Sequence, residues 1–459
     1  MSTASLRREA GESPTAPLRL RVRRGLDVPL GGAPEATVHD APPVSSVAVL
    51  GDDAPGLRAE LRVEPGERVR LGQTRFVDRR RPRIRFVSPG AGVVAAVLRG
   101  ARRRLEAVVV QLEGDEEERL PVPADPDTPP SGEALRELLQ ASGLWTALRT
   151  RPFSRIPDPD ASPHALFVTA LETDPLAPPA QACIREAGED FARGVAALAG
   201  LTEGPVYVCA RPDAALPLPR APRVRAVGVE GPHPAGLPGT HVHLLAPVSA
   251  QRTAWHVGWP DVLALGRLLA TGRLPVERVV ALAGPGVAHP RLLRTRLGAS
   301  TEDLLVGELR DGACRVVSGS ALAGRHASDH GAFLGRLHTQ ICVLPRSEPG
   351  RRSWLLPGRR GRARRVPGAG RRGGFDVGLG GRRGVFYPLE RLERVWPFDL
   401  PLLPLLRALV VGDVEAAREL GVLELAEEDL ALAAFLCPGK IEYGLLLRAM
   451  LDEIERQGP

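Results

Sequence analysis

Aromatic residues make up only 4 % of this 459-residue chain, so its cores must be built from aliphatic side chains. Lysine is almost absent. Lys440 is the single one among 61 basic residues, and the positive charge is therefore nearly all arginine, a bias that reads as genomic composition before function. The five cysteines, at 183, 209, 314, 342 and 437, stand far apart without a C-x-x-C pair. That spacing excludes a disulfide framework and a four-thiolate metal site, and it fits a reducing compartment. No run of about 18 uncharged apolar residues occurs; the best approach to one, "LPLLPLLRALVV", is interrupted by Pro404 and Arg407. The opening "MSTASLRREAGESPTAP" has no apolar centre, so no secretory signal is expected and the chain reads as soluble or peripheral.

What is present suffices for three or four domains of ordinary size. The hydrophobic fraction is 43 %, the net charge +7 and the pI near 9.7. A basic balance favours acidic partners: nucleic acid, anionic lipid head groups or an acidic protein surface.

The order of segments predicts a multidomain α+β protein. Residues 1–16 are polar and are expected to form a disordered leader. Residues 17–125 are expected to hold short strands and turns. Their most readable part, "LRVEPGERVRLGQTRFVDRRRPRIRFVSPGAGVVAAV", alternates apolar and polar positions between Pro65-Gly66, Gly72 and Ser88-Pro89-Gly90. This resembles the barrel-sandwich fold of biotinyl and lipoyl carrier domains. A carrier presents a lysine at the hairpin tip, whereas "FVDRRRPRIRF" has only arginines there. A guanidinium is not an acylatable amine, which leaves a structural or docking module.

Residues 131–258 predict a Rossmann-like α/β domain with a mostly parallel sheet. The helix "SGEALRELLQASG" has apolar positions at Leu135, Leu138 and Leu139, and strands are expected at "HALFVTAL", "PVYVCA" and "HVHLLAPV". One helix, "QACIREAGEDFARGVAALAGL", is expected between the first two. Residues 259–345 begin with the helix "WPDVLALGRLLATG" and continue with two strand units that resemble a soluble-ligand-binding β-grasp (SLBB) module. Residues 346–385 contain "GRRGRARRVPGAGRRGG", a basic stretch with little to bury, expected as a flexible loop. Residues 386–459 predict a C-terminal helical domain, with Glu427, Glu428 and Asp429 at a helix start, where negative charge suits the dipole.

Two metal readings fail on residue type. "GPHPAGLPGTHVH" places His233, His241 and His243 within eleven residues, the last two facing one way if the segment is a strand, but no carboxylate or thiolate completes a zinc set. His326 and His330 lie between Gly324 and Gly331, which argue against a helix that would align them. Cys437-Pro438 resembles the last ligand of an iron–sulfur run, yet the three preceding ligand positions are Ala433, Leu430 and Glu427. Cys437 reads as a buried apolar residue.

Six stretches in order carry a resemblance that spans about Leu18 to Glu455: "GLDVPLGG", "SGLWTALRTRPFSRIP", "GPHPAGLPGTHVH", "LAGPGVAHPRLLRTRLGAS", "RVVSGSALAG" and "EEDLALAAFLCPGKIEYGLLLR". Together they resemble the A subunits of bacterial sodium-translocating NADH:quinone oxidoreductases. Related proteins, the C subunit of the Rnf complex and the flavin-bearing subunit of respiratory complex I, bind FMN and NADH over a loop of the type G-L-G-G-A-G-F-P-T. Residues 146–154 here read T-A-L-R-T-R-P-F-S, with side chains where bare backbone would approach a phosphate. Trp145, Arg149, Arg151 and Phe153, together with His233 and Gly236, are the candidate residues of a degenerate pocket. An anion contact through Arg149 or Arg151 is one reading; a solvated or interface arginine is the plainer one. No catalytic residue and no metal ligand is expected.

The resemblance implies a peripheral subunit on the cytoplasmic face of the bacterial inner membrane. It would support assembly, and in this family quinone access, while partner subunits carry NADH, FAD, FMN and iron–sulfur centres; ubiquinone is the one small molecule it implies near this chain. An autonomous flavin or NADH oxidoreductase is the alternative, and it needs the glycine-rich loop. A nucleic-acid-binding protein is a third reading, weakened because the Arg/Gly stretch has Trp354 and Phe375 only at its edges and no interleaved aromatics.

Overall fold

The computed structural model describes residues 4–7, 18–346, 386 and 388–458. Of the expected Arg/Gly loop at 346–385 only Arg346 is among them, and most of the expected leader lies outside them.

The chain begins by contributing strands elsewhere. Strands β1 (Ala4–Arg7) and β2 (Leu18–Val22) pair antiparallel, and β2 then runs parallel to a strand that appears two hundred residues later. Residues 4–7 therefore form a strand within the stretch expected to be disordered, because an edge of β2 is open to pair them. Strand β3 (Glu35–Asp40) is likewise given to a later sheet.

The barrel sandwich is built from seven short strands: β4 (Ser46–Leu50), β5 (Ala59–Leu61), β6 (Arg68–Val69), β7 (Thr74–Asp78), β8 (Arg81–Val87), β9 (Gly92–Arg99) and β10 (Leu105–Leu112). They form sheets in the orders β4-β10-β9-β6 and β5-β7-β8. The Pro-Gly and Ser-Pro-Gly turns sit where the alternation placed them; Gly66 and Gly72 both hold positive φ. Phe76 stacks on Phe86 at 4.5 Å between the sheets.

The α/β domain follows. Helix α1 (Gly132–Ala141) is capped by the Ser131 hydroxyl and buries Leu135, Leu138 and Leu139, as its spacing requires. Strands β11 (Arg149–Arg151), β12 (Ala165–Ala170), β13 (Val206–Ala210), β14 (Val224–Glu230) and β15 (Ala254–Gly258) join β1 and β2 in the order β1-β2-β14-β13-β12-β15-β11. Neighbours from β2 through β15 are parallel. Every residue of β12 and β13 is buried, which fits strands covered on both faces. The expected single helix is two, α2 (Ala180–Glu186) and α3 (Gly188–Leu198), parted at Ala187, whose φ of −129° and ψ of 47° break the helix before Gly188.

Another expectation is corrected here. "HVHLLAPV" is not a strand: His241 and His243 lie on helix α4 (Pro238–Leu245). Pro238 at the first helical turn is the start signal that the short His-Val-His alternation obscured.

Helix α5 (Trp259–Thr271) packs on α3, and one continuous core joins the α/β layer to the barrel. Strands β16 (Glu277–Ala283), β17 (Arg291–Arg296), β18 (Cys314–Ser318), β19 (Arg325–His326) and β20 (Gln340–Pro345) form a sheet with β3, ordered β19-β18-β20-β16-β17-β3, beside the short helix α6 (Thr301–Leu304). The C-terminal helices α7 (Leu402–Val411), α8 (Val414–Glu419), α9 (Ala431–Leu436) and α10 (Tyr443–Gln457) enclose a separate core around Trp396, Phe398, Leu405, Tyr443 and Leu447.

Candidate functional site

The stretch from Ser142 to Pro157 lies where four parts of the fold converge. It leaves α1 through Gly143, whose φ of +73° a β-carbon would strain and whose approach to Val87 it would block. A 3₁₀ turn over Leu144–Ala147 follows, and β11 then pairs antiparallel with β15. The peptide amides here are spent internally: Thr146 donates to the Gly143 carbonyl at 3.1 Å, Leu148 to Trp145 at 3.2 Å, and Thr150 to Arg155 at 2.8 Å. Trp145 is fully buried, its indole N–H bonded to the Pro157 carbonyl at 2.9 Å and its ring edge-on to Trp255.

The arginines of this stretch are not solvated; they face inward. Arg149 gives its guanidinium to three carbonyls, those of Thr146, Leu148 and Asp53, at 2.6, 2.9 and 2.6 Å. Burial without a bonded carboxylate draws its pKa down to about 10. Arg151, 0 % exposed, reaches into the C-terminal domain and bonds Asp429 at 3.1 Å and Glu428 at 2.7 Å. Beside it Arg155 meets Asp452 at 2.7 Å and Glu455 at 2.6 Å. Arg448 of α10 returns the contact, binding Glu427 at 2.6 Å and the Phe153 carbonyl at 2.9 Å. The Phe153 ring packs on the C-terminal core. Asp429 is fully buried against Gly239 in the first turn of α4, where a β-carbon would collide with its carboxylate. Burial, with Glu428 adding and Arg151 opposing, pushes its carboxyl up to about 7.

Arg149 also borders a cleft of about 310 Å³ at the carboxyl ends of β12 and β15, the place where open α/β sheets bind ligands. Gly236 lines the same cleft, its amide donating to the Thr173 hydroxyl at 2.8 Å. His233 lies behind it, 1 % exposed, its amide bonded to Asp27 and its ring 3.3 Å from the Thr173 hydroxyl; burial lowers its pKa. Of the six sequence candidates, then, Arg149 and Gly236 share the cleft, Trp145 is buried in the core that joins the barrel to the α/β layer, Arg151 and Phe153 turn to the C-terminal domain, and His233 is packed out of reach.

Sequence reasoning missed the cleft's other polar groups. Glu172 accepts a hydrogen bond from the Trp259 indole at 3.1 Å, and burial with the neighbouring Asp174 raises its carboxyl to about 8. Asp261 binds Arg278 at 2.5 Å and Arg336 at 2.7 Å. These side chains come from segments far apart in the chain, and only the acid-and-arginine pairing, visible after folding, marks them. A second, narrow apolar slot opens where the barrel, the α/β layer and the β16–β20 sheet meet. Phe86, Leu144, Leu274, Leu297 and Leu334 form its walls, with Asp53, Arg149 and Arg336 among its polar lining.

His241 bonds the Ala235 carbonyl and His243 bonds Glu424, each serving α4. His326 lies on β19 and His330 in a 3₁₀ turn. Among the described residues no group of three or more His, Cys, Asp or Glu side chains is placed to hold a metal ion. Cys437 is buried, 3.4 Å from the Tyr443 hydroxyl. Among the described residues no helix is long and apolar enough to cross a membrane.

Comparison with known proteins decides the family. Residues 20–113 match the NqrA N-terminal barrel-sandwich hybrid domain, 131–274 the NqrA second alpha/beta domain, and 279–329 the NQRA C-terminal (SLBB) domain. The chain is 44 % identical over 446 residues to the A subunit of the Na(+)-translocating NADH-quinone reductase of Saccharophagus degradans, covering 96 % of this chain and 100 % of that protein. It is 45 % identical over 449 residues to the corresponding protein of Pseudomonas aeruginosa, with the same coverage. This chain belongs to the NqrA family, the A subunits of the Na(+)-translocating NADH-quinone reductases. It is thus a subunit of an oxidoreductase complex of the membrane, and the alternative readings as an autonomous flavoprotein or a nucleic-acid binder find no support. In this NqrA chain the three matched domains are the barrel, the α/β layer and the β-grasp sheet described above.

Proposed function

We propose that this NqrA chain serves its membrane complex as a peripheral assembly subunit without a redox centre of its own, lying on the cytoplasmic face. NADH, FAD, FMN and the iron–sulfur centres then belong to partner subunits. The observation that carries this reading is the loop at 144–151. A flavin phosphate needs free, convergent amides over small residues. Here the Thr146, Leu148 and Thr150 amides are bonded within the loop, β11 is paired to β15, Trp145 is fully buried beside them, and Arg151 is held by two carboxylates. These residues do not fit a flavin.

The apolar slot beside Leu144 and Leu334 supports the second half of the proposal, quinone access. Its apolar walls suit a quinone ring, and the Arg336 guanidinium at its edge, held on one side by Asp261, is a hydrogen-bond donor for a carbonyl oxygen.

The test is purification of the tagged full-length chain from native membranes. The expected product is colourless on its own and arrives with membrane and flavin-bearing partners. A yellow, NADH-oxidising monomer overturns the first half. Replacing Leu334→Trp to fill the slot is expected to weaken quinone binding in the assembled complex, and unchanged affinity overturns the second half.

A further inference from the structure

Three stretches distant in sequence meet at one end of the barrel. Antiparallel pairing sets Leu50, the end of β4, opposite Ala107 near the start of β10, beside the β9–β10 turn at residues 100–104. It also sets Ala59, the start of β5, opposite Asp78 at the end of β7, beside the β7–β8 tip at residues 79–80. The connection 51–58 therefore crosses from one sheet to the other directly between the two hairpin tips. Two contacts tie them together: the Arg79 amide donates to the Arg58 carbonyl at 2.7 Å, and Arg104 pairs with Asp52 at 2.8 Å.

The result is a cationic rim. Residues 51–58, 79–80 and 99–106 together hold seven arginines against three carboxylates. One of the three, Asp53, is turned inward, accepting from the Arg336 amide at 2.9 Å. Arg58, Arg79, Arg80, Arg102 and Arg103 are exposed and have no acid partner among the described residues. Arg102 and Arg103 hold φ of 54° and 59°, a conformation that non-glycine residues rarely adopt, and Arg99 braces the turn by donating to the Arg103 carbonyl at 3.0 Å.

The geometry points to a docking surface for anionic phospholipid head groups. A protein partner would ask for an apolar anchor at the centre of its interface. The large hydrophobics exposed among the described residues are Val306, Leu309, Leu337, Val410, Val411 and Leu445, and none lies in this rim. Charge without an apolar anchor suits a layer of phosphates, which needs no shape complementarity and attracts each basic side chain independently. A component of a membrane complex with no spanning helix among its described residues gains orientation from such a rim.

The test is co-sedimentation of the full-length chain with vesicles of phosphatidylcholine, with and without phosphatidylglycerol, at low and high salt. Binding is expected only with phosphatidylglycerol, and it should weaken as salt shortens the screening length toward a few ångströms. Replacing Arg79, Arg80, Arg102 and Arg103 together by Gln is expected to weaken binding by about five-fold per arginine, with an unchanged melting temperature. The same four positions as Lys keep it, because charge alone is required. A control with the arginines between residues 359 and 372 changed to Gln separates the rim from that basic stretch. The proposal is overturned if the rim variant binds like wild type, if the whole loss tracks the 359–372 control, or if the Lys variant fails as the Gln variant does. It is also overturned if the Gln variant keeps its vesicle affinity but no longer co-purifies with partner subunits, which would assign the rim to an acidic protein face.

Discussion

The β7–β8 hairpin and the loop from Ser142 to Pro157 touch across Val87 and Gly143, and each resembles the part of a scaffold that elsewhere carries a cofactor. They depart from that chemistry in opposite ways. At the hairpin the frame is intact and only the exposed tip differs, with Arg79 and Arg80 in solvent. At the loop the interior is remade: Trp145 fills the space, Arg149 spends its donors on carbonyls, and Arg151 anchors another domain. A surface position can lose its chemistry through one side chain, whereas a buried one must be refilled, since an empty pocket forfeits packing and leaves amides unpaired.

The comparison breaks most sharply at Arg151. Arg151→Ala leaves Asp429 buried without its counter-charge, which is expected to cost about 3–5 kcal/mol, and to make the C-terminal helices sensitive to limited proteolysis before the rest of the chain. A melt with one cooperative transition and unchanged protease resistance would contradict the loop's role as a seat. Trp145→Ala is next, at roughly 3–4 kcal/mol for the cavity it opens, read by urea unfolding of the purified chain. Restoring bare backbone with Leu148→Gly is expected to destabilise without creating flavin binding, followed by flavin fluorescence titration.

The pH dependence gives a further, somewhat smaller effect. His241 is fully buried and desolvation lowers its pKa to about 4. The unfolded chain takes up this proton near pH 6.5 and the folded one only near 4, so its contribution is complete above 6.5 and lost as pH falls through that window. The loss is on the order of 3 kcal/mol. Asp429, with its carboxyl raised to about 7, tilts the curve the other way. The measurement therefore compares wild type with His241→Gln, whose melting temperature should fall less steeply between pH 6.5 and 4. The hairpin tip gives the smallest response: Arg80→Lys is expected to change stability by no more than about 0.5 kcal/mol, placing a lysine where a carrier has one at no cost to the fold.

Local patterns were readable where local chemistry decides the outcome. The Pro-Gly turns framed the barrel strands, Leu135, Leu138 and Leu139 marked the buried face of α1, and the missing glycines of 146–154 showed that the loop had changed. What those arginines do instead was not readable. Arg151 and Asp429 are 278 residues apart, and no periodicity links them. His241 reads as a strand residue because four alternating residues look alike in a short strand and in a short helix, and Pro238 alone tells them apart. The assignment of β2 and β3 to distant sheets depends on pairing that only the whole chain creates.

That last feature bears on how the polypeptide leaves the ribosome. β2 must wait for β14, which begins at Val224, and β3 for β17, which begins at Arg291. At ordinary elongation rates this is a delay of roughly ten to fifty seconds. During it β2 and β3 lack these parallel partners while the barrel closes downstream of them. The barrel is thus made first yet is tethered on its upstream side to partners not yet synthesised, so a fragment that starts at the barrel would take β1 and β2 from the α/β sheet and β3 from the β16–β20 sheet.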